Sequence, residues 1–147
     1  MRRGRTIGLD LGRARIGVAI DDELGSMAHP RGTLDASNRV KMLEQLGALA
    51  EAEGVTRIVV GLPLDMKGGE GEAARGARAM AQVIADATGL LVELWDERMT
   101  TQVASRALAS SEVRGKKARE HIDEASAVAI LQSWLEDAAR SRRGGRG

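Results

Sequence analysis

The sequence contains no cysteine, no phenylalanine and no tyrosine, and only two tryptophans, two histidines and two prolines. Without cysteine there is no disulfide, no thiol nucleophile and no thiolate ligand for zinc, a composition that suits a reducing cytosol. Without Phe and Tyr the core must be aliphatic, and a nucleic-acid surface cannot rest on a row of stacked rings. His29 and His121 are far apart in sequence, and neither an HExxH nor a GxSxG pattern occurs, so zinc-protease and serine-triad chemistry have no support. The GxxxxGK[ST] and GxGxxG orders of nucleotide-binding loops are also missing. No apolar run approaches the roughly 18 residues of a membrane span, and no signal-like hydrophobic region follows Met1-Arg2-Arg3. The expectation is a cytoplasmic protein with no membrane partner.

A length of 147 residues with 43% hydrophobic content is enough for one domain with a core of its own. The net charge of +1 is too small to announce a polyanion partner. Its distribution is uneven, with Arg2, Arg3 and Arg5 at one end and Arg140, Arg142, Arg143 and Arg146 at the other. We expect a domain over residues 1–139 and a disordered Arg/Gly-rich tail over 140–147.

The stretch TIGLDLGRARIGVAI, Thr6 to Ile20, organises the rest. Ile7, Leu9 and Leu11 alternate with Thr6, Gly8, Asp10 and Gly12, which predicts a strand with Asp10 turned away from the aliphatic face. A tight turn over Gly12 to Arg15 and a returning strand to Ile20 complete a hairpin. Ser26 to Leu34 reads as an edge strand interrupted by Pro30. A helix capped by Ser37 or Asn38 follows to about Glu53, with Val40, Leu43, Leu46, Leu49 and Ala50 on one face and Gly54 as its stop. Arg57 to Val60 is a buried parallel strand, and GLPLDMKGGEG, Gly61 to Gly71, a glycine-rich loop. Glu72 to Thr88 is a helix stopped by Gly89, Leu90 to Trp95 a strand, and Thr100 or Thr101 the cap of a further helix to about Ala109. Ser110 to Lys117 reads as a mobile basic loop, and the last helix covers about Arg119 to Ala139. The fold class is α/β, one five-stranded mixed sheet flanked by helices.

With His, Cys and Ser chemistry set aside, carboxylates remain. On a helical wheel of about 100° per residue, Asp123 falls within about 40° of Ala127, Ile130 and Trp134. It is therefore centred on an apolar stripe, with Gln132 and Glu136 on the opposite side. A carboxylate facing the first-turn amides is the competing explanation. Asp96 and Glu97 end the strand that begins at Leu90, at the edge where open α/β sheets place their sites; alternation lets only one of them share a spot with Asp10. Three carboxylates brought together repel one another unless a cation sits between them. Oxygen-only donors favour Mg²⁺ or Mn²⁺, and two such ions suit hydrolysis of a phosphodiester.

GLDLGRARIGVAI, GLPLDMKGGEG, DERMTTQVA and HIDEASAVAILQ, in that order, together resemble the YqgF/RuvX family of RNase H-like nucleases. The resemblance implies an RNase H-like sheet and a hydrolase, a divalent-metal-dependent endonuclease with Asp10, Glu97 and Asp123 as catalytic and metal-binding residues. Asp96 stands as a substitute or helper for Glu97. The family is associated with 5′-end maturation of pre-16S rRNA and some members with Holliday-junction cleavage, so pre-16S rRNA or branched DNA is the implied partner. Arg15, Arg98 and Thr100 could contact phosphates, with local salt bridges and a helix cap as the alternative; Lys67, Lys116 and Lys117 could clamp a backbone. A junction resolvase would act as a homodimer, whereas rRNA trimming allows a monomer. DLGRARIGVA also resembles the first phosphate loop of actin-like ATPases, which need two such domains to enclose ATP. A non-catalytic RNA-binding module is the remaining alternative.

Overall fold

The computed structural model describes residues 4–100 and 116–144. Strand β1 (Arg5–Leu11) turns into β2 (Arg15–Asp21), with the Gly12 amide donating to the Arg15 carbonyl at 3.0 Å to close the reversal. β3 (Ala28–Asp35), α1 (Arg39–Glu53), β4 (Val55–Leu62), α2 (Glu72–Thr88) and β5 (Leu91–Asp96) follow; a single 3-10 turn covers Glu97–Thr100, and α3 spans Lys116–Gly144. The five strands form one sheet in the order β3-β2-β1-β4-β5. β1 is antiparallel to β2 and parallel to β4, so the sheet is mixed. The glycine stops act as expected: Gly54 and Gly89 both lie in the left-handed region and cap the preceding helices.

The two faces of the sheet are built from residues of different size, and that difference positions everything else. Ile7, Leu9, Val18, Ile58 and Val60 pack against Met42 and Leu46 of α1 and Ile84 of α2. On the other face Ala19 and Val59 meet Ala127, Ile130, Leu131 and Trp134 of α3. Large residues keep α1 and α2 at ordinary distance, whereas the small ones let α3 settle onto the sheet backbone. At Gly17 an added Cβ would overlap the carbonyl oxygen of Asp123 in α3, so only glycine fits.

Several boundaries differ from the sequence reading. Val40 is exposed, and Met42 takes its place in the buried stripe of α1, because the helix presents Met42, Leu46 and Ala50 at intervals of four. Gln132 is not turned to solvent: its Oε1 accepts from the Ala28 amide at 2.9 Å and its Nε2 donates to the Ser26 carbonyl. α3 thus reaches over the entry to the edge strand. β3 is at one edge, and its register shift lies opposite Gly17 to Ala19, beside Pro30, which has no amide to donate. Lys116 and Lys117 belong to the first turn of α3 and not to a loop, and the helix continues to Gly144 through part of the stretch expected to be a disordered tail. The expected helix from Thr101 to Ala109, and residues 110–115 of the basic loop, lie outside the described residues.

Candidate functional site

Asp10 sits on the central strand, paired across the ladder with Gly17. Its side chain leaves the sheet on the α3 face, opposite Ile7 and Leu9. Glu97 follows directly after β5, two strands away, where the chain enters its 3-10 turn. The Thr100 hydroxyl donates to the Glu97 carbonyl at 2.6 Å and steadies that turn. Gly61 on the intervening β4 leaves the room: a Cβ there would lie 2.7 Å from Glu97 Oε1. Asp10 and Glu97 therefore meet over the C-terminal end of β4, hydrogen-bonded to each other.

A hydrogen bond between two carboxyl groups requires a proton on one of them. Burial pushes the Glu97 carboxyl up to about 7, helped by the negative charge of Asp10 and by the proton Glu97 donates to it. Burial also raises Asp10, and the charge of Asp123 raises it further against the opposing effect of the Glu97 hydrogen bond. Both carboxyls are thus pushed toward the protonated form where they meet, Glu97 the more plainly.

Asp123 is brought close by the docking of α3 onto Gly17, but its carboxylate is engaged elsewhere. Arg15 Nε donates to Asp123 Oδ2 at 2.9 Å, joining the first turn of the hairpin to the last helix. Among the described residues, no three His, Cys, Asp or Glu side chains gather closely enough to hold a metal ion as they stand. The donor set nevertheless fits a hard divalent cation: two oxygen-only side chains already meet, both disfavoured as free anions, with a third carboxylate near enough to raise Asp10.

Of the sequence candidates, Asp10, Glu97 and Asp123 are brought to one end of the sheet. Asp96 has a different partner: Arg98 grips it through Nε and Nη2, the latter at 2.7 Å, and holds its carboxyl below the usual range. Arg98 also donates to the Met66 carbonyl and lies over Gly68, tying the glycine-rich loop to the strand end. Thr100 is buried, with its hydroxyl donating to the Glu97 carbonyl. Arg15 is committed to Asp123 instead of standing free. Lys67 is exposed, its amide donating to the Asp65 carboxylate within a tight turn. Gly17 and Gly61, which make the convergence possible, were readable only as glycines interrupting β-rich runs.

A cleft of about 620 Å³ opens beside the carboxyl pair, lined at that end by Asp10, Glu97 and Gly61. No helix of the described residues is long and apolar enough to cross a membrane.

Comparison with known proteins agrees with this geometry. The family model RuvX, described as Holliday junction resolvase, matches residues 4–137. A protein of Myxococcus xanthus provisionally named as a pre-16S rRNA nuclease is 43% identical over 132 residues, covering 90% of this chain and 87% of its own length. A Streptomyces avermitilis protein of the same name is 46% identical over 137 residues, covering 92% and 88%. Among solved structures, Thermus thermophilus RuvC in complex with a Holliday junction substrate superposes with a TM-score of 0.57 at 15% identity, covering 97% of both chains. That likeness establishes the RNase H-like fold, as the motif resemblance implied.

Proposed function

The chain belongs to the RuvX family and is a nuclease, and from that premise we propose that it hydrolyses a phosphodiester bond of pre-16S rRNA at the Asp10–Glu97 pair. The observation that supports this most directly is the meeting of two half-buried carboxyls that arrive from opposite sides of β4 in the space left by Gly61. Groups arranged this way are unstable as two free anions and are relieved by a cation, which is the property a hydrolytic phosphate site needs.

Asp10 and Glu97 would hold Mg²⁺ or Mn²⁺, with Asp123 as the third ligand that a two-ion arrangement requires. Such a cation supplies charge neutralisation at phosphorus and a water nucleophile at neutral pH. The chain's own groups do the rest. β1, hydrogen-bonded on both sides, fixes Asp10; the Thr100 bond fixes the turn that carries Glu97. Arg15 lies beside the acids and has a guanidinium of the right shape for a phosphate once it leaves Asp123. Lys67, on the loop anchored by Arg98, adds a mobile positive charge at the same end of the sheet.

The test is a cleavage panel with Mg²⁺ and Mn²⁺ against pre-16S leader RNA, a four-way DNA junction and single strands, with Asp10→Asn as control. Metal-dependent cutting of the leader RNA that vanishes in Asp10→Asn is expected. Cutting confined to the junction would move the substrate to branched DNA. Unchanged cutting by Asp10→Asn would remove the carboxyl pair from the mechanism.

A further inference from the structure

The cleft beside the acids is larger than a phosphate and different in character. Away from Asp10 and Glu97 it runs between α1 and α2, and its walls are mainly apolar: Leu11 and Ile16 from the hairpin, Met42 from α1, and Ala77 and Met80 from α2. Its volume of about 620 Å³ lies within the roughly 300–1,000 Å³ typical of ligand pockets. Arg13 stands exposed among its lining residues. A phosphate chain would find little there to bind. A flat ring with apolar faces would.

We propose that this cleft receives the base of an unpaired nucleotide adjacent to the scissile phosphate. The inference rests on the reading of Asp10 and Glu97 as the cutting site and adds a substrate class to it, the unpaired strand. Continuity carries the argument: the acids and the apolar walls line one cavity, so a nucleotide whose phosphate reaches the acids presents its base to those walls. A base held in a duplex cannot turn into a pocket without unstacking, and an unpaired one does so at least cost. The two methionines provide polarizable, adaptable contacts that take the place of the missing aromatic rings. Both tryptophans are unavailable, since Trp95 and Trp134 pack with α3 on the opposite face. Apart from the acids, Arg13 and Glu72 are the charged side chains in its lining, too few to tell one base from another, so the cleft reads pairing state and not base identity. Arg13 can lay its planar guanidinium against the ring.

The experiment uses the full chain and three RNAs: one single strand, the same strand with an abasic nucleotide at each position flanking the cut in turn, and the strand annealed to its complement. Gly76 of α2 lines the cleft, and a Cβ there meets nothing within 4 Å, so Gly76→Leu fills the space while favouring the helix. The parent is expected to cut the intact single strand about 10-fold faster than the duplex and than one of the abasic strands. In Gly76→Leu the difference between intact and abasic strands collapses. Equal rates on intact, abasic and duplex RNA, or a full preference surviving in Gly76→Leu, would overturn the proposal. Fluorescence anisotropy of the same RNAs with Asp10→Asn reads the base preference without cleavage. If no substrate is cut at all, the nuclease reading fails while anisotropy still decides whether the cleft takes a base.

Discussion

Arg15 and Asp123 are 108 residues apart in sequence and 2.9 Å apart in space, with the arginine Nε donating to the carboxylate. This ion pair ties the turn of the first hairpin to the start of the last helix and keeps the third acid of the site neutralised. A cation entering at Asp10 and Glu97 must compete with Arg15 for Asp123.

Arg15→Gln removes that competitor and leaves Asp123 uncompensated beside two other acids. The expected result is Mn²⁺ binding tightened several-fold in the absence of nucleic acid, read by calorimetry or by the electron paramagnetic resonance of free Mn²⁺. An affinity equal to the parent's would mean that Arg15 does not hold the site against the cation.

Glu97→Gln and Asp96→Asn separate two neighbouring acids that strand alternation alone left equivalent. Glu97→Gln is expected to lower cleavage by at least about 100-fold, because it removes half of the carboxyl pair. Asp96→Asn loosens only the grip of Asp96 on Arg98 and the loop behind it, and should retain activity within about 10-fold. The comparison is made on single-turnover rates, and equal losses in both variants would refute the assignment.

The raised Glu97 carboxyl gives the metal-free protein a pH signature. A carboxyl in the unfolded chain titrates near 4.5, whereas the folded one holds its proton up to about 7. Between these values the folded state binds more protons than the unfolded state, so stability falls as pH rises. The melting temperature of the metal-free protein should therefore drop from about pH 4.5 to pH 7, and Glu97→Gln or saturating Mg²⁺ should flatten this part of the profile. A parent profile that rises across the same window would contradict the raised Glu97 carboxyl.

Gly17→Ala places a methyl group into the backbone carbonyl of Asp123, and neither partner is a flexible side-chain end. The helix must lift from the sheet, at a cost of about 1–3 kcal/mol read by denaturant titration. Asp123 moves with it, so the Arg15 bond should weaken, visible as a changed guanidinium signal in NMR. Stability equal to the parent's would show that α3 is not seated on Gly17 as described.

The alternation around Asp10 was enough to place it on the face away from Ile7 and Leu9, because strand geometry leaves no third option. The stripe of Ala127, Ile130 and Trp134 likewise foretold a buried helix face, on which the wheel centred Asp123. Helix ends followed from Gly54 and Gly89, whose conformations other residues rarely adopt. Val40 was misplaced, and the partners of Gln132 went unforeseen, because periodicity ranks residues by hydrophobicity and does not see the neighbour. Val40 faces nothing, while Gln132 finds two backbone groups near the edge strand.

What the sequence determined by itself was the set of acids and the strands and helix that carry them, since both depend on local pattern. Local pattern left open which of Asp96 and Glu97 meets Asp10, and tertiary structure brings Glu97 there. Asp96 and Glu97 differ by one position, yet Arg98 captures the first while the space left by Gly61 admits the second to Asp10. Partnership of this kind depends on atoms contributed by β4, α3 and the hairpin at once, and no local pattern encodes those distances.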